Sequence, residues 1–235
     1  MLRIIVSKWG DMYGEEYIDK LKESIAKYTT VDWDLTVIRD CHTDWEHYSK
    51  KWFRGEGNPS VVQGEGFQNG YHHYNLGGIP LYRKMYPFGL DDFADDNDTI
   101  IMMDIDMLIT ADLKYFTTLN FDKPWVQYDY NMEKTDKNRL IKDFINQNIT
   151  PINTSVTVWK KGQLKPVYDL VNQYKDEIFF TYRRVDAYVW YRFGVKEFFN
   201  FLPPLAVDWY SNNSNAIIKN MAGEPIKLKN KIILT

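Results

Sequence analysis

The chain has 235 residues, a formal net charge of −3 and 26% charged residues. A chain of this length can bury a sizeable core, most simply as one α/β domain spanning residues 1–235. Without a long basic block it has little electrostatic attraction for nucleic acid or a membrane surface. Its longest apolar runs are of strand length, so no integral membrane contact is expected. The opening MLRIIVSKWG reads directly as a strand and lacks the form of a signal peptide. A lone Cys41 rules out an internal disulfide and fits a reducing compartment, so a cytoplasmic location is expected. Asn-Ile-Thr at Asn148 and Asn-Thr-Ser at Asn153 match the glycosylation pattern by chance in an Asn-rich chain. Aromatic residues make up 16%, enough to supply both core packing and ring stacking.

Leu2 to Ser7 reads as the first strand. Ile18, Leu21, Ile25 and Tyr28 then fall on one face at helical spacing, and Trp33 to Ile38 gives a second strand. That β-α-β order favours a parallel pair with a right-handed crossover. Residues 40–78 break the rhythm with seven Gly and one Pro and read as a long, loop-rich excursion. Gly78-Ile79-Pro80 opens a helix, with Pro near its first turn and Ile79, Tyr82 and Tyr86 on the buried side. Thr99 to Met103 reads as a buried strand of a parallel sheet. Trp125 to Tyr128 and Thr154 to Trp159 are further strands. Leu164, Val167, Val171, Tyr174 and Ile178 mark an amphipathic helix, and Arg183 to Phe193 another. No internal repeat or linker divides the chain.

The feature richest in chemistry is the end of the Thr99–Met103 strand, where Asp104-Ile105-Asp106 follows at once. Ionised carboxylates beside an apolar strand are costly to bury unless something positive meets them. At the carboxyl end of a strand in an open α/β sheet, that partner is commonly a divalent cation holding phosphate oxygens. Hard oxygen ligands favour Mn²⁺ or Mg²⁺ over Zn²⁺.

Several segments together resemble the small, metal-dependent GT-A glycosyltransferases, nearest in character to the retaining glycogenin and bacterial galactosyltransferase type. They are GGIPLYRKMYPFGL, IIMMDIDMLITADL, PINTSVTVWKKG, RRVDAYVW and FLPPLAVDW, covering roughly residues 76–210. The resemblance implies a single GT-A (Rossmann-like), mainly parallel sheet flanked by helices. It implies a UDP-sugar donor and a saccharide or other hydroxyl acceptor. Asp104 and Asp106 would hold the metal, the first acid also reaching ribose or water, with Ile105 between them in the donor site. Arg83 takes the place of a cation facing the donor, a position where a guanidinium suits phosphate or hydroxyl contact. Lys84, on an adjacent face, reads as a solvated charge. Asn153 stands where the family's Asn-Ala-Gly element contacts donor sugar hydroxyls, with Ser155 in place of the Gly. Asp186 matches the acid of the family's Asp-Gln element, with Ala187 in place of the Gln. Its alternative role is a salt bridge with neighbours such as Arg183. The loop Ser7-Lys8-Trp9 corresponds to the base and ribose site, where Trp9 would stack on uracil and Asp40 would accept from its imide N–H.

The family's third metal ligand, a C-terminal His, is missing: the chain ends KNKIILT, and no His follows His73. Another side chain, or water and phosphate, would complete the shell, and Lys227, Lys229 and Lys231 read either as partial compensation that meets pyrophosphate or, more commonly for such alternation, as an exposed basic edge strand. Weak metal affinity without nucleotide follows as an expectation. The excursion from Cys41 to Gly77 holds all four His with several aromatics but no metal-ligand spacing. It reads equally as an acceptor-facing lobe, a homodimer contact or a small satellite core. No carboxylate declares itself as a general base, which leans with the resemblance toward retention, and Asp129 is the candidate base or sugar contact. Two alternatives compete. A haloacid dehalogenase-type phosphatase also sets D-x-D after an apolar strand, but wants Thr or Val where this chain has Leu108. A non-catalytic nucleotide- or glycan-binding module would share the fold without turnover.

Overall fold

The structure, a computed structural model, describes residues 1–8, 13–39, 82–90, 93–128, 150–174, 177–178, 182, 185–193, 195–209 and 215–221. The 40–78 excursion lies outside these residues, as does the C-terminal lysine run. β1 (Leu2–Ser7), α1 (Glu15–Tyr28) and β2 (Trp33–Ile38) form the first unit, and β1 and β2 pair in parallel. β3 (Thr99–Met103) pairs with the other side of β1, also in parallel. Beyond it come β6 (Ile152–Trp159), β5 (Trp125–Tyr128) and β7 (Asn200–Leu202), completing the order β2-β1-β3-β6-β5-β7. β6 runs antiparallel to both its neighbours, whereas β5 and β7 are parallel. The sheet is therefore mixed and mainly parallel, and β3 has one neighbour of each kind rather than two parallel ones.

β3 is buried at all five positions because both sheet faces are covered. Its pleat sends Ile101 and Met103 to one side and Ile100 and Met102 to the other. The first side packs under α1 through Ile18, Leu21 and Ile25. The second packs under α2 (Lys165–Gln173), α3 (Val185–Phe193) and the 3-10 helix Tyr82–Gly89. Gly162, at φ 79°, turns the chain out of β6 toward α2, a backbone conformation that disfavours side chains.

Two helices depart from the periodicity. Residues 82–89 form a 3-10 helix, not an α-helix, and carry Pro87, which has no N–H to donate. Three residues per turn put Met85 and Phe88 on one buried stripe and Lys84 and Pro87 on another. Tyr86, expected on the buried side, is only half-buried. α2 ends at Gln173, so Tyr174 is exposed, and Ile178 reaches the core from beyond the helix. A second, three-stranded sheet of β4 (Met107–Ile109), β9 (Ile218–Asn220) and β8 (Val207–Trp209) lies beyond the acid pair, where β4 follows Asp106 directly. A short helix, α4 (Val195–Phe198), precedes β7. Among the described residues no helix is long and apolar enough to cross a membrane.

Candidate active site

The site is built where β3 ends against β6. The ladder pairs Met103 with Val156, and the Asp104 N–H continues it by donating to the Ser155 carbonyl at 2.9 Å. Asp104 is thus tethered by backbone at the point where the chain turns through Ile105 and Asp106 into β4. Ile105 spends its side chain on the core beneath α1, at 6% exposure. Asp104 and Asp106 are both half-buried.

Lys84 reaches this turn from the 3-10 helix. Its ammonium lies 2.5 Å from Asp104 Oδ1 and donates to Oδ2 at 2.8 Å, and the residue is only 5% exposed. The reading of Lys84 as a solvated charge is therefore overturned: the 3-10 register turns it inward beside Met85. Burial pushes its pKa down, but the Asp104 charge and hydrogen bond, then Asp186 and Asp106, reverse the sign and hold it above the usual lysine value. Ser155 Oγ donates to Asp104 Oδ2 at 2.7 Å, and the Ser155 N–H donates to Asn153 Oδ1 at 2.8 Å.

Asp186 sits in the first turn of α3, where its Oδ1 accepts from the Thr154 N–H at 2.8 Å and from Thr154 Oγ1 at 2.6 Å. These bonds tie α3 to β6. Arg183, the salt-bridge partner offered as the alternative, lies outside the described residues. On the opposite side Tyr13, just before α1, donates its hydroxyl to Asp106 Oδ2 at 3.1 Å. Burial and the Asp106 charge drive the Tyr13 pKa well above that of a free phenol, so it stays a donor at all ordinary pH.

At the neighbouring strand ends, Ser7 is buried, and its Oγ has no hydrogen-bond partner among the described residues. The Lys8 N–H donates to the Ile38 carbonyl at 2.8 Å, and the Lys8 ammonium lies 3.6 Å from Glu15. Arg39 grips the same Glu15 with two bonds of 2.7 and 2.8 Å and holds that carboxyl at about 2. Trp9, Asp40, Asp129 and the Arg83 side chain lie outside the described residues. Of the sequence candidates, the structure therefore brings Asp104, Asp106, Asn153 and Asp186 together. Lys84, Tyr13, Thr154 and Ser155 join them, none of which was named as a site residue from the sequence.

The Lys84 ammonium lies directly against Asp104, and the charges of Asp186 and Asp106 act on it from farther away. Among the described residues no group of three His, Cys, Asp or Glu side chains gathers as a metal cage. Two carboxylates nevertheless fit an Mg²⁺-like ion, which keeps several waters and is usually held by one or two carboxylates together with substrate phosphates.

A mixed, mainly parallel sheet, helices on both faces and an acid pair at the carboxyl end of β3 define a GT-A-type glycosyltransferase fold. Solved structures bear this out. The galactosyltransferase LgtC, in complex with donor and acceptor sugar analogues, superposes with a TM-score of 0.57 over 94% of this chain and 87% of its own, at 11% identity. An active-site mutant of LgtC gives 0.55 at 12% identity over the same shares. The bifunctional glycosyltransferase WbbM gives 0.51 at 12% identity over 95% of this chain, which spans 46% of WbbM. No protein-family model matches the chain, and no curated protein sequence matches it. At these identities the likeness is one of fold.

Proposed function

We propose that the chain is a metal-dependent glycosyltransferase that moves a sugar from a UDP-sugar to a hydroxyl acceptor with retention, residues 1–235 forming one catalytic domain. The observation that carries this is the Asp104–Asp106–Asp186 cluster around buried Lys84 at the carboxyl end of β3, in a GT-A fold. Asp104 and Asp106 would hold Mn²⁺ or Mg²⁺, which when bound supplies Lewis-acid stabilisation to the departing diphosphate.

The chain's own residues divide the remaining work. Lys84 fixes Asp104 in place by a direct ion pair. Tyr13 steadies Asp106 from the α1 side by a donated hydrogen bond. Asp186 and Asn153, held by β6 and α3, offer acceptors to the hydroxyls of a donor sugar, and we assign Asp186 to the reacting ring. We assign the uridine to the ends of β1 and β2 with Ser7 and Lys8, and assign Trp9, Asp40 and Ile105 to the donor as well. Arg83 is assigned to the donor and Asp129 to the acceptor side. Retention rests on departure and attack on the same sugar face, with the leaving phosphate as base, and needs no dedicated carboxylate.

The phosphatase alternative finds no support in the fold. The non-catalytic module is separated by turnover. Wild-type protein with Mn²⁺ and a panel of UDP-sugars should release UDP slowly from at least one donor. Asp106→Asn and Asp186→Ala should each lower that rate at least a hundredfold. UDP binding with no hydrolysis or transfer from any donor would favour the module.

A further inference from the structure

The donor side of the acid pair carries a residue whose work the metal-site reading leaves unassigned. An ionised carboxylate offers about four lone-pair positions. On Asp104 the Lys84 ammonium takes one on each oxygen, at 2.5 and 2.8 Å, and Ser155 Oγ takes a second on Oδ2 at 2.7 Å. One position remains, on Oδ1. Rotating the Asp104 carboxylate to offer any other would break the Ser155 bond and unseat a lysine that is 5% exposed.

Ser155 is itself fixed at three points. Its carbonyl accepts from the Asp104 N–H at 2.9 Å, its N–H donates to Asn153 Oδ1 at 2.8 Å, and its hydroxyl holds the carboxylate. Its side chain is 7% exposed as a residue, so water does not substitute freely for its hydroxyl. Lys84 alone, equidistant within a few tenths of an ångström from both oxygens, would leave the carboxylate plane free to tilt. The Ser155 hydroxyl removes that freedom because it binds one oxygen only.

We infer that Ser155 is a positioning residue that, with Lys84, holds the Asp104 carboxylate in one orientation and leaves one Oδ1 lone pair for the divalent ion that Asp104 would hold. The inference rests on the donor-site reading given above. Hydrogen bonds that orient a ligating carboxylate typically set metal affinity by 10–100-fold. Ser155 should therefore act on metal binding through Asp104 without touching the ion.

The test is Mn²⁺ binding in the presence of saturating UDP, read from the loss of the free-ion electron paramagnetic resonance signal. Wild type, Ser155→Ala and Ser155→Thr are compared, each also melted without metal to confirm folding. Ser155→Ala should still melt as a cooperatively folded protein without metal, at a somewhat lower temperature than wild type, yet bind Mn²⁺ about tenfold more weakly. Ser155→Thr, which keeps the hydroxyl, should stay within about threefold of wild type. Mn²⁺ affinity unchanged in Ser155→Ala, with wild type binding normally, would overturn the inference alone. Affinity equally lowered in Ser155→Thr and Ser155→Ala would overturn it too, since bulk rather than the hydroxyl would matter. A wild type that takes up no Mn²⁺ with UDP would overturn both this and the donor-site reading.

Discussion

β3 carries a carboxylate at each end, and the two ends are treated differently. At the amino end, Asp98 accepts from Arg3 Nε at 2.9 Å, pairs with the Met1 amino group at 2.9 Å and accepts from the Asp95 N–H at 3.1 Å. Burial pushes the Asp98 carboxyl up, but the bonds from Arg3 and the amino terminus outweigh it and hold it at about 2. Two cations serve one carboxylate there, and Asp98 is 4% exposed. At the carboxyl end the buried Lys84 ammonium meets Asp104 and the Tyr13 hydroxyl donates to Asp106, and both acids stay half-buried. The two ends flank the same five-residue strand, so hydrophobic patterning cannot explain the contrast. Asp98 is closed off by its partners, whereas the acid pair keeps part of its surface open to solvent.

The contrast is most severely tested by removing Lys84. Lys84→Met should cost about 3–5 kcal/mol, because breaking a buried ion pair leaves an uncompensated carboxylate. Urea unfolding of the ligand-free protein measures it, and a loss below about 1 kcal/mol would mean that Lys84 is not the counter-charge of the site. Arg3→Met at the other end should cost less, about 1.5–3 kcal/mol, the worth of a hydrogen bond to a charged group, since the amino group and the Asp95 N–H remain on Asp98. A larger loss than at Lys84 would invert the comparison. The smallest and sharpest effect is in pH. Because the folded Asp98 carboxyl lies below its unfolded value, its contribution is complete above about pH 4 and is lost as pH falls toward about 2. The stability difference between wild type and Asp98→Asn should shrink over that window, and a difference that does not change between pH 5 and 2 would contradict the pairing.

Much of this was legible in the residues. The runs Leu2–Ser7, Trp33–Ile38, Thr99–Met103 and Trp125–Tyr128 are strands over the bounds expected, because long apolar or β-branched runs between turn signals admit few other readings. The acid pair was legible for the same reason: it sits directly after such a run. The second sheet was not, since Met107–Ile109, Val207–Trp209 and Ile218–Asn220 are three residues each and too short to show a period. Lys84 was misread because its burial depends on a 3-10 register that the α-helical period does not contain. Tyr13 and Ser155 were out of reach for another reason. Their bonds to Asp106 and Asp104 cross 93 and 51 residues of chain and follow from sheet order and register, not from any local pattern.

The central claim, that the Asp104–Asp106 pair receives a divalent ion together with a nucleotide diphosphate, is tested most directly by thermal melting. Wild type and Asp106→Asn are melted with UDP, GDP, CMP or buffer, each with Mn²⁺ and with EDTA. A ligand at 100 times its Kd adds about 2.7 kcal/mol, or several degrees in a domain of this size at about 2–4 °C per kcal/mol. The account expects such a rise for wild type with UDP and Mn²⁺, and its loss with EDTA or in Asp106→Asn. No rise with any nucleotide, or a rise indifferent to both Mn²⁺ and Asp106, would contradict it.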